Sequence, residues 1–210
     1  RYDFDEDAPQ AVGNSRRTYA GQEGVETDVQ HTVYKTGMSG WCANCHTNFH
    51  TTYAGAEFVH PVGQNLGDTA GTYNAYVSSA DYTGTQVDAY WGLVPFEDIS
   101  VDLGTVDPLN YTAGPESNDK VMCLSCPRSH ASAFADIGRW DFGADWIADS
   151  QPMAEAVYDS VTGDWIGGTN NASQDDVDNK YYEYTFYAHQ KSLCNKCHYK
   201  DALDDLSGGH

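Results

Sequence analysis

Six cysteines, arranged as three Cys-x-x-Cys pairs, constrain this 210-residue chain more than any other feature of its sequence. The pairs are Cys42 and Cys45, Cys123 and Cys126, and Cys194 and Cys197. The first cysteines of successive pairs are 81 and 71 residues apart, and no sequence repeat joins the pairs. The chain therefore has to place two thiols on one tight turn at three widely separated positions.

The chain is poor in the large apolar residues that usually form a core. Leu, Ile, Val and Phe together number 34 of 210 residues, and the formal net charge is −20. Such a composition is typical of intrinsically disordered chains, because too little apolar surface is buried to offset the entropy lost on folding. Large apolar groups bound to the cysteines would replace the missing side chains.

The residue after each pair indicates what those groups are. His46 follows Cys45 and His198 follows Cys197, whereas Pro127 follows Cys126. Cys-x-x-Cys-His is the attachment signature of c-type haem, in which both thiols bond to the porphyrin and the imidazole binds the iron. We therefore predict three covalent haems c, bound at the six cysteines and stacked to form the core of the molecule.

Zinc and disulfide bonds explain the pairs less well. Zinc sites usually combine Cys-x-x-Cys pairs that lie within about 15–20 residues of one another, and six cysteines do not divide into sites of four. A disulfide within one pair closes so small a loop that it constrains the unfolded chain very little.

Axial ligands for the haem irons have to come from the eight histidines of the chain. His50 lies one helical turn beyond His46 on the same face, so it is expected to bind the iron of a neighbouring haem. Pro61 holds His60 in an extended conformation beside an apolar flank, which suits a ligand that approaches from outside the motif. The predicted iron ligands are His31, His46, His50, His60, His130, His189 and His198.

The stretches between the motifs are rich in Gly, Asp, Asn, Ser, Thr and Tyr and show little periodicity of 3.6 or 2 residues. We therefore predict a mostly irregular fold with short α-helices and a few short β-hairpins. A single domain is expected over residues 1–210, with haem segments at roughly 31–60, 118–140 and 189–200. Helices are predicted at 41–49, 120–137, 153–158 and 193–202, and strands at 73–77, 86–91 and 181–187.

Charge and hydropathy exclude several kinds of partner. An acidic chain is repelled by nucleic acid and by anionic membranes, and no apolar stretch approaches the roughly 20 residues of a membrane span. The chain starts at Arg1 without a methionine, as expected for an exported protein whose signal peptide has been removed. An extracellular location agrees with c-type haem, which is attached outside the cytoplasm.

Several segments resemble the extracellular multihaem c-type cytochromes of metal-reducing microbes. They are Trp41–His46, Phe58–Gly63, Asn118–Ser132, Arg139–Asp141 and Ser192–His198. That family includes the subunits of conductive cytochrome filaments. The resemblance implies haems with two histidine ligands, stacked in a line, that carry electrons along a polymer. It also implies that a histidine of one subunit can bind a haem of the next.

Pro127 departs from the family pattern, which has the proximal histidine at this position. His130 could bind the middle iron instead, or a distant histidine such as His31 or His210 could, or the iron could be open on one side. A sequence error at position 127 is a fourth explanation. In the family, a histidine at the position of His130 serves a neighbouring haem. We predict His130 as a haem ligand and leave open which iron it binds.

The leading functional prediction is an extracellular electron-transfer protein that is not an enzyme. It would assemble with copies of itself into a filament and pass electrons to redox partners or metal oxides. The alternative is a multihaem reductase that uses an open haem at Cys123 and Cys126, which would show a high-spin iron that binds external ligands. A third possibility, a surface protein with zinc-bound cysteines, is distinguished by metal analysis.

Overall fold

A computed structural model describes residues 8–13, 28–46, 61–77, 81–130, 132, 134, 137–143, 157–159, 164–166 and 193–198. Most of these residues form turns and loops. The described α-helices are α1 (Met38–Ala43) and α2 (Thr69–Ala75), and 3₁₀ helices span Gln86–Asp88 and Leu193–Lys196. The predicted fold class, mostly irregular with a few short helices and strands, is confirmed.

A small mixed sheet is formed by four short strands that lie between Ala11 and Val121 in the sequence. Its strands, in spatial order, are β1 (Ala11–Val12), β2 (Val33–Lys35), β3 (Phe96–Asp98) and β4 (Lys120–Val121). β2 runs antiparallel to β1 and parallel to β3, and β4 runs antiparallel to β3. All three residues of β3 are buried. Since β2 leads into the first cysteine motif and β4 into the second, the sheet brings together motifs that are far apart in the sequence.

A separate hairpin is formed by β5 (Val157–Asp159) and β6 (Asp164–Ile166). The two strands are antiparallel, with Tyr158 opposite Trp165. Residues 157–158 were expected to be helical, so this prediction is wrong. Residues such as Val and Tyr favour strands, which agrees with the observed hairpin.

The hydrophobic core of the described part is dominated by aromatic side chains. Six of its eleven buried members are aromatic, and both Cys126 and Cys197 pack against it. The buried members are Leu66, Ala70, Tyr73, Tyr76, Tyr90, Trp91, Leu93, Val94, Phe96, Trp140 and Leu193. Each aromatic ring buries far more surface than an aliphatic side chain, so a few rings offset the shortage of Leu and Ile. The stacking of haems within the core stays a prediction.

Two of the predicted local elements have a different structure. The expected strand at 73–77 belongs largely to α2, because Tyr73 and Tyr76, three residues apart, share one buried helical face. The expected strand at 86–91 begins instead as the 3₁₀ helix Gln86–Asp88.

The helix expected at 120–137 is absent from the described residues of that segment. The segment starts with β4 and continues as turns, because Pro127 removes a backbone donor and His130 and Ile137 have positive φ angles of 60° and 56°. Helices expected at 41–49 and 193–202 are found in part, as α1 and as the 3₁₀ helix Leu193–Lys196. The strand expected at 181–187 lies outside the described residues.

Candidate haem sites

The first and last cysteine motifs have the same backbone geometry. The N–H of His46 donates to the Cys42 carbonyl at 2.9 Å, and the N–H of His198 donates to the Cys194 carbonyl at 2.8 Å. In both motifs the second cysteine also donates to the carbonyl of the first, at 3.1 and 3.0 Å. One helical turn thus places two thiols and an imidazole next to one another, as c-type haem attachment requires.

The middle motif is folded differently. Pro127 has no N–H to close a turn onto Cys123, and it forms an isolated antiparallel β-bridge with Gly138. Hydrogen bonds flank the bridge on both sides, from Arg128 N to the Ile137 carbonyl at 2.7 Å and from Arg139 N to the Cys126 carbonyl at 2.8 Å. Pro127 and Gly138 form a non-hydrogen-bonded pair, in which neither backbone N–H is needed across the bridge. Proline therefore fits at position 127 without the loss of a hydrogen bond between the strands.

The first and middle motifs are joined by a buried polar link. The Ser39 hydroxyl accepts a hydrogen bond from Cys123 N at 3.1 Å and donates to the Glu97 carboxylate at 2.5 Å. Glu97, which is 1% exposed, also accepts from Gly37 N and Ser39 N at 2.8 Å each and so caps the start of α1. Neither Ser39 nor Glu97 was predicted from the sequence, since they lie 58 residues apart and belong to no motif.

The thiols of different motifs approach one another. Cys42 Sγ lies 3.1 Å from Cys123 Sγ, longer than the roughly 2.05 Å of a disulfide bond. Cys126 packs against the same core as Cys197. The middle pair therefore lies between the two outer motifs, although 81 and 71 residues of chain separate the first cysteines.

Burial keeps several of these thiols protonated. It raises the pKa of Cys197 to about 11, with a smaller opposing effect from the Lys196 ammonium. Burial also raises the pKa of Cys123 and of Cys126 well above the ordinary value for a thiol. In this geometry these three sulfurs are buried neutral groups, compatible with sulfurs that become thioethers inside an apolar core.

The rings of His46 and His130 lie close to each other. Their ring centroids are 6.4 Å apart, and the ring planes are inclined by 36°. Two imidazoles on opposite sides of one metal ion, each with a metal–nitrogen bond of about 2 Å, have centroids roughly 6 Å apart. The two rings are thus separated by the distance that one iron with two axial imidazoles requires.

His31 is placed in a quite different environment. It is 1% exposed, with Nδ1 3.0 Å from the Thr32 carbonyl oxygen and Nε2 2.8 Å from the Tyr111 carbonyl oxygen. Its ring also stacks on Tyr90, with centroids 3.5 Å apart. A neutral imidazole carries one N–H, so it donates to at most one of these two carbonyl oxygens. Binding to iron would require His31 to give up one of these contacts, and its role as a ligand stays a prediction.

His50, His60, His189 and His210 lie outside the described residues. Of the seven predicted iron ligands, the structure therefore locates His31, His46, His130 and His198, and the last three are exposed. Only His46 and His130 are brought into mutual ring contact among these four.

Lys196, inside the last motif, is a buried cation that the sequence did not single out. It is 2% exposed, and its Nζ donates to the Tyr76 carbonyl at 3.1 Å. The same Nζ lies 4.3 Å from the ring centroid of Tyr73 and 5.0 Å from that of Trp91, within the range of cation–π interactions. Burial lowers the pKa of Lys196 to about 7.

Haem fits the three motifs to different degrees. The two outer motifs supply two thiols and an adjacent imidazole. The middle motif supplies two thiols in an apolar setting, and Trp140 Nε1 is a buried donor with no acceptor among the described atoms. No imidazole is available at position 127, so the middle site matches a c-type haem in its thiols but lacks the usual proximal ligand.

Comparison with known proteins agrees with these motifs. No family model matches the chain. It is 35% identical over 212 residues to the C-type cytochrome OmcS of Geobacter sulfurreducens, which covers 95% of this chain and 48% of that protein. No helix in the described part of this chain is long and apolar enough to cross a membrane.

Two solved structures share the fold. One is the outer membrane cytochrome S filament from Geobacter sulfurreducens, with a TM-score of 0.70 and 33% identity over 97% of this chain and 51% of that chain. The other is an OmcS nanowire from the same organism, with a TM-score of 0.68 and 34% identity over 97% and 50% of the two chains. This chain spans about half the length of the proteins that it matches.

Motifs and fold together define the class: the chain resembles the extracellular multihaem c-type cytochromes, as the sequence predicted. Within that class, the particular protein that it resembles is OmcS, and the likeness extends over nearly all of this chain.

Proposed function

We propose that this chain is an extracellular electron carrier with three covalently attached haems c, and that copies of it assemble into a filament. The observation that supports this most directly is the convergence of the three cysteine motifs, with Cys42 Sγ 3.1 Å from Cys123 Sγ and with Cys126 and Cys197 against one core. Cofactors bound at such motifs would lie side by side. A continuous series of redox centres is what long-range electron transport needs.

The six cysteines would hold the haems, one at each pair. His46 and His130 would bind the first iron from opposite sides, as their ring separation of 6.4 Å supports. His198 would bind the iron at Cys194 and Cys197. His50, His60, His189 and His31 are the remaining candidates for the other axial positions.

Haem supplies one-electron exchange between ferric and ferrous iron, and the protein sets its position and surroundings. In this chain the turn from Cys42 to His46 orients two thiols and an imidazole together. Glu97 and Ser39 hold that turn against Cys123. Aromatic side chains of the core pack against Cys126 and Cys197 and exclude water there, which would influence the reduction potentials of haems at the middle and last motifs.

The proposed partners are further copies of this chain, together with redox partners or metal oxides outside the cell. The two matching structures are filaments, which supports self-assembly. The net charge of −20 suits a soluble exterior and opposes binding to nucleic acid. Single-domain organisation over residues 1–210 is part of the same proposal.

A haem count and electron microscopy test the proposal. We expect a pyridine haemochrome assay to find three haems per chain, and negative-stain images of the purified protein to show filaments. Fewer than two haems, or a monodisperse monomer under all conditions, would contradict it. Catalytic turnover of nitrite or another small oxyanion would favour the reductase instead.

His130→Ala tests the assignment of the first iron. Removing one of two axial imidazoles should convert that iron from low spin to high spin, detected by electron paramagnetic resonance of the oxidised protein. Ser129→Ala is the matched control, because Ser129 is an exposed neighbour with no ring nitrogen. An unchanged spectrum for His130→Ala would show that another residue binds the first iron.

A further inference from the structure

We infer that Cys42 and Cys123 form a disulfide bond that joins the first and middle cysteine motifs in the chain before haem is attached. The oxidant is itself a disulfide, such as oxidised glutathione or the oxidised form of a dithiol oxidoreductase. The bond requires no haem. Its consequence rests on the proposed function, because attachment of the first and middle haems would need the same two sulfurs.

The contact between the two thiols is direct. Cys42 Sγ lies 3.1 Å from Cys123 Sγ, and among the described residues this is the one hydrogen bond between two sulfur atoms. It joins cysteines of different motifs rather than the two cysteines of one motif. Because a disulfide bond is about 2.05 Å long, the two sulfurs have to approach each other by about 1 Å. They are therefore close to bonding distance, although 81 residues separate them in the sequence.

Backbone contacts hold Cys123 against α1. Its N–H donates to the Ser39 hydroxyl at 3.1 Å, and its Sγ lies 3.8 Å from the Met38 carbonyl oxygen. Ser39 in turn donates to the buried Glu97 carboxylate of β3. Because Met38 and Cys42 are one helical turn apart in α1, these contacts direct the Cys123 sulfur toward Cys42.

The difference in exposure between the two thiols sets the order of the reaction. Cys123 is 3% exposed, whereas Cys42 is more accessible. The Cys42 thiolate attacks one sulfur of the oxidant and forms a mixed disulfide, and the first oxidant thiolate leaves and takes up a proton. Cys123 then loses its proton and attacks the Cys42 sulfur, which releases the second oxidant thiol. Two protein thiols are thus oxidised by two electrons, and one oxidant disulfide is reduced to two thiols.

The bond has two effects on the chain. It closes a loop between residues that are 81 apart in the sequence, which restricts the unfolded chain much more than a bond within one motif does. It also occupies one sulfur in each of two motifs, so neither motif could form both of its thioethers. A reducing dithiol would therefore have to open the bond before the first and middle haems are attached.

The test uses the full chain without attached haem, treated with oxidised glutathione, blocked with N-ethylmaleimide and digested with trypsin under non-reducing conditions. Trypsin cleaves after Lys35, Lys120 and Arg128, so both cysteines of the first motif leave in one peptide and both cysteines of the middle motif in another. Mass spectrometry should find these two peptides linked in most molecules and separate after reduction. Bonds only within each motif would overturn the inference.

Single substitutions identify the two sulfurs. Cys42→Ser and Cys123→Ser should each abolish the link between the peptides, whereas the matched controls Cys45→Ser and Cys126→Ser should retain it. A link that survives Cys42→Ser or Cys123→Ser would assign the bond to another cysteine and overturn the inference.

Oxidation in guanidinium chloride tests whether the folded contact directs the reaction. The yield of the link should fall several-fold in the denaturant, because the unfolded chain no longer holds the two thiols together. An unchanged yield would show that the contact between α1 and the middle motif is not responsible, and the inference would fail.

Haem content separates this inference from the proposed function. Three haems in the mature protein, with no link in the haem-free chain, would overturn the inference and leave the proposed function intact. A link in the haem-free chain, with no haem after maturation, would do the reverse. Where both hold, attachment to the oxidised chain should stop at one haem per chain until a dithiol is added, and three haems attached without a dithiol would contradict the blocking effect.

Discussion

At the residue scale, buried carboxylates in the described part of the chain act as acceptors for backbone N–H groups. Asp119 accepts from Ile99 N at 2.8 Å and from Glu116 N at 2.7 Å, and Asp98 accepts from Ser100 N and Val101 N. Burial raises the pKa of Asp119 above its ordinary value in spite of these bonds. In the described part of the chain, these acidic residues thus fasten loops between the motifs through hydrogen bonds, in addition to the packing of the core.

Asp119→Asn is expected to change how stability depends on pH. Because the pKa of Asp119 is higher in the folded than in the unfolded chain, its contribution to stability is present at low pH and is lost as the pH rises through the folded pKa. The variant should therefore lose less stability than the wild type as the pH rises from about 4 through the raised pKa of Asp119. Denaturant unfolding of the haem-loaded protein over this range measures the difference.

Asp102→Asn is the control of opposite sign. Hydrogen bonds from Gly104 N and the Thr105 hydroxyl lower the pKa of the exposed Asp102, so its contribution is present above the unfolded pKa and is lost as the pH falls. If both substitutions changed the pH dependence of stability in the same direction, the opposite pKa shifts of Asp119 and Asp102 would be contradicted.

At the element scale, two short helices carry the outer cysteine motifs, and neither is long enough to be stable alone. α1 has six residues and depends on the Glu97 carboxylate of β3 for its N-terminal N–H groups. The 3₁₀ helix Leu193–Lys196 depends on the burial of Leu193 and Lys196. Their orientation is therefore set by tertiary contacts.

Glu97→Gln should loosen α1 and the first haem motif. The amide keeps one acceptor oxygen but turns an NH₂ group toward a backbone donor, so a buried N–H is left unsatisfied, at a cost of about 1–3 kcal/mol. Thermal unfolding of the haem-loaded protein measures the loss. Glu116→Gln, at an exposed position, should change stability by less than about 0.5 kcal/mol, and equal effects would argue against the capping role.

Two substitutions of Lys196 test whether packing or charge contributes more to the stability of the last motif. The side chain is buried, and its Nζ lies over the rings of Tyr73, Tyr76 and Trp91. Lys196→Ala should destabilise the protein by roughly 2–4 kcal/mol, because it removes this packing as well as the cation. Lys196→Met keeps most of the volume and should cost less than about 1.5 kcal/mol, because the buried ammonium is itself costly to desolvate. Equal losses in denaturant unfolding would show that the charge dominates.

At the scale of the whole molecule, the net charge of −20 opposes contact between copies of the chain. Filament assembly should therefore increase with ionic strength, since the Debye length falls from about 30 Å at 0.01 M salt to about 8 Å at 0.15 M. Sedimentation and electron microscopy across this range measure the polymer fraction. Filaments that dissociate as salt is added would show that ion pairs, rather than apolar contacts, hold the copies together.

Prediction from the sequence succeeded where the signal was local. Cys-x-x-Cys-His requires one turn of backbone, and both outer motifs have it. It failed for residues 73–77 and 120–137, where spacing of two tyrosines and the run of residues after Lys120 were compatible with either helix or strand. Burial of Tyr73 and Tyr76 in the core decided the first segment, whereas pairing of β4 with β3 together with Pro127 decided the second.

The sequence alone determined which chemical groups stand next to one another in each motif. Each pair of cysteines and the residue that follows it, His46, Pro127 or His198, are near neighbours along the chain. The partner of each group was decided only by the tertiary structure. His46 meets His130, Cys42 meets Cys123 and Glu97 meets Ser39 because the sheet draws distant segments together. In loops without periodicity, such long-range contacts have no local signature.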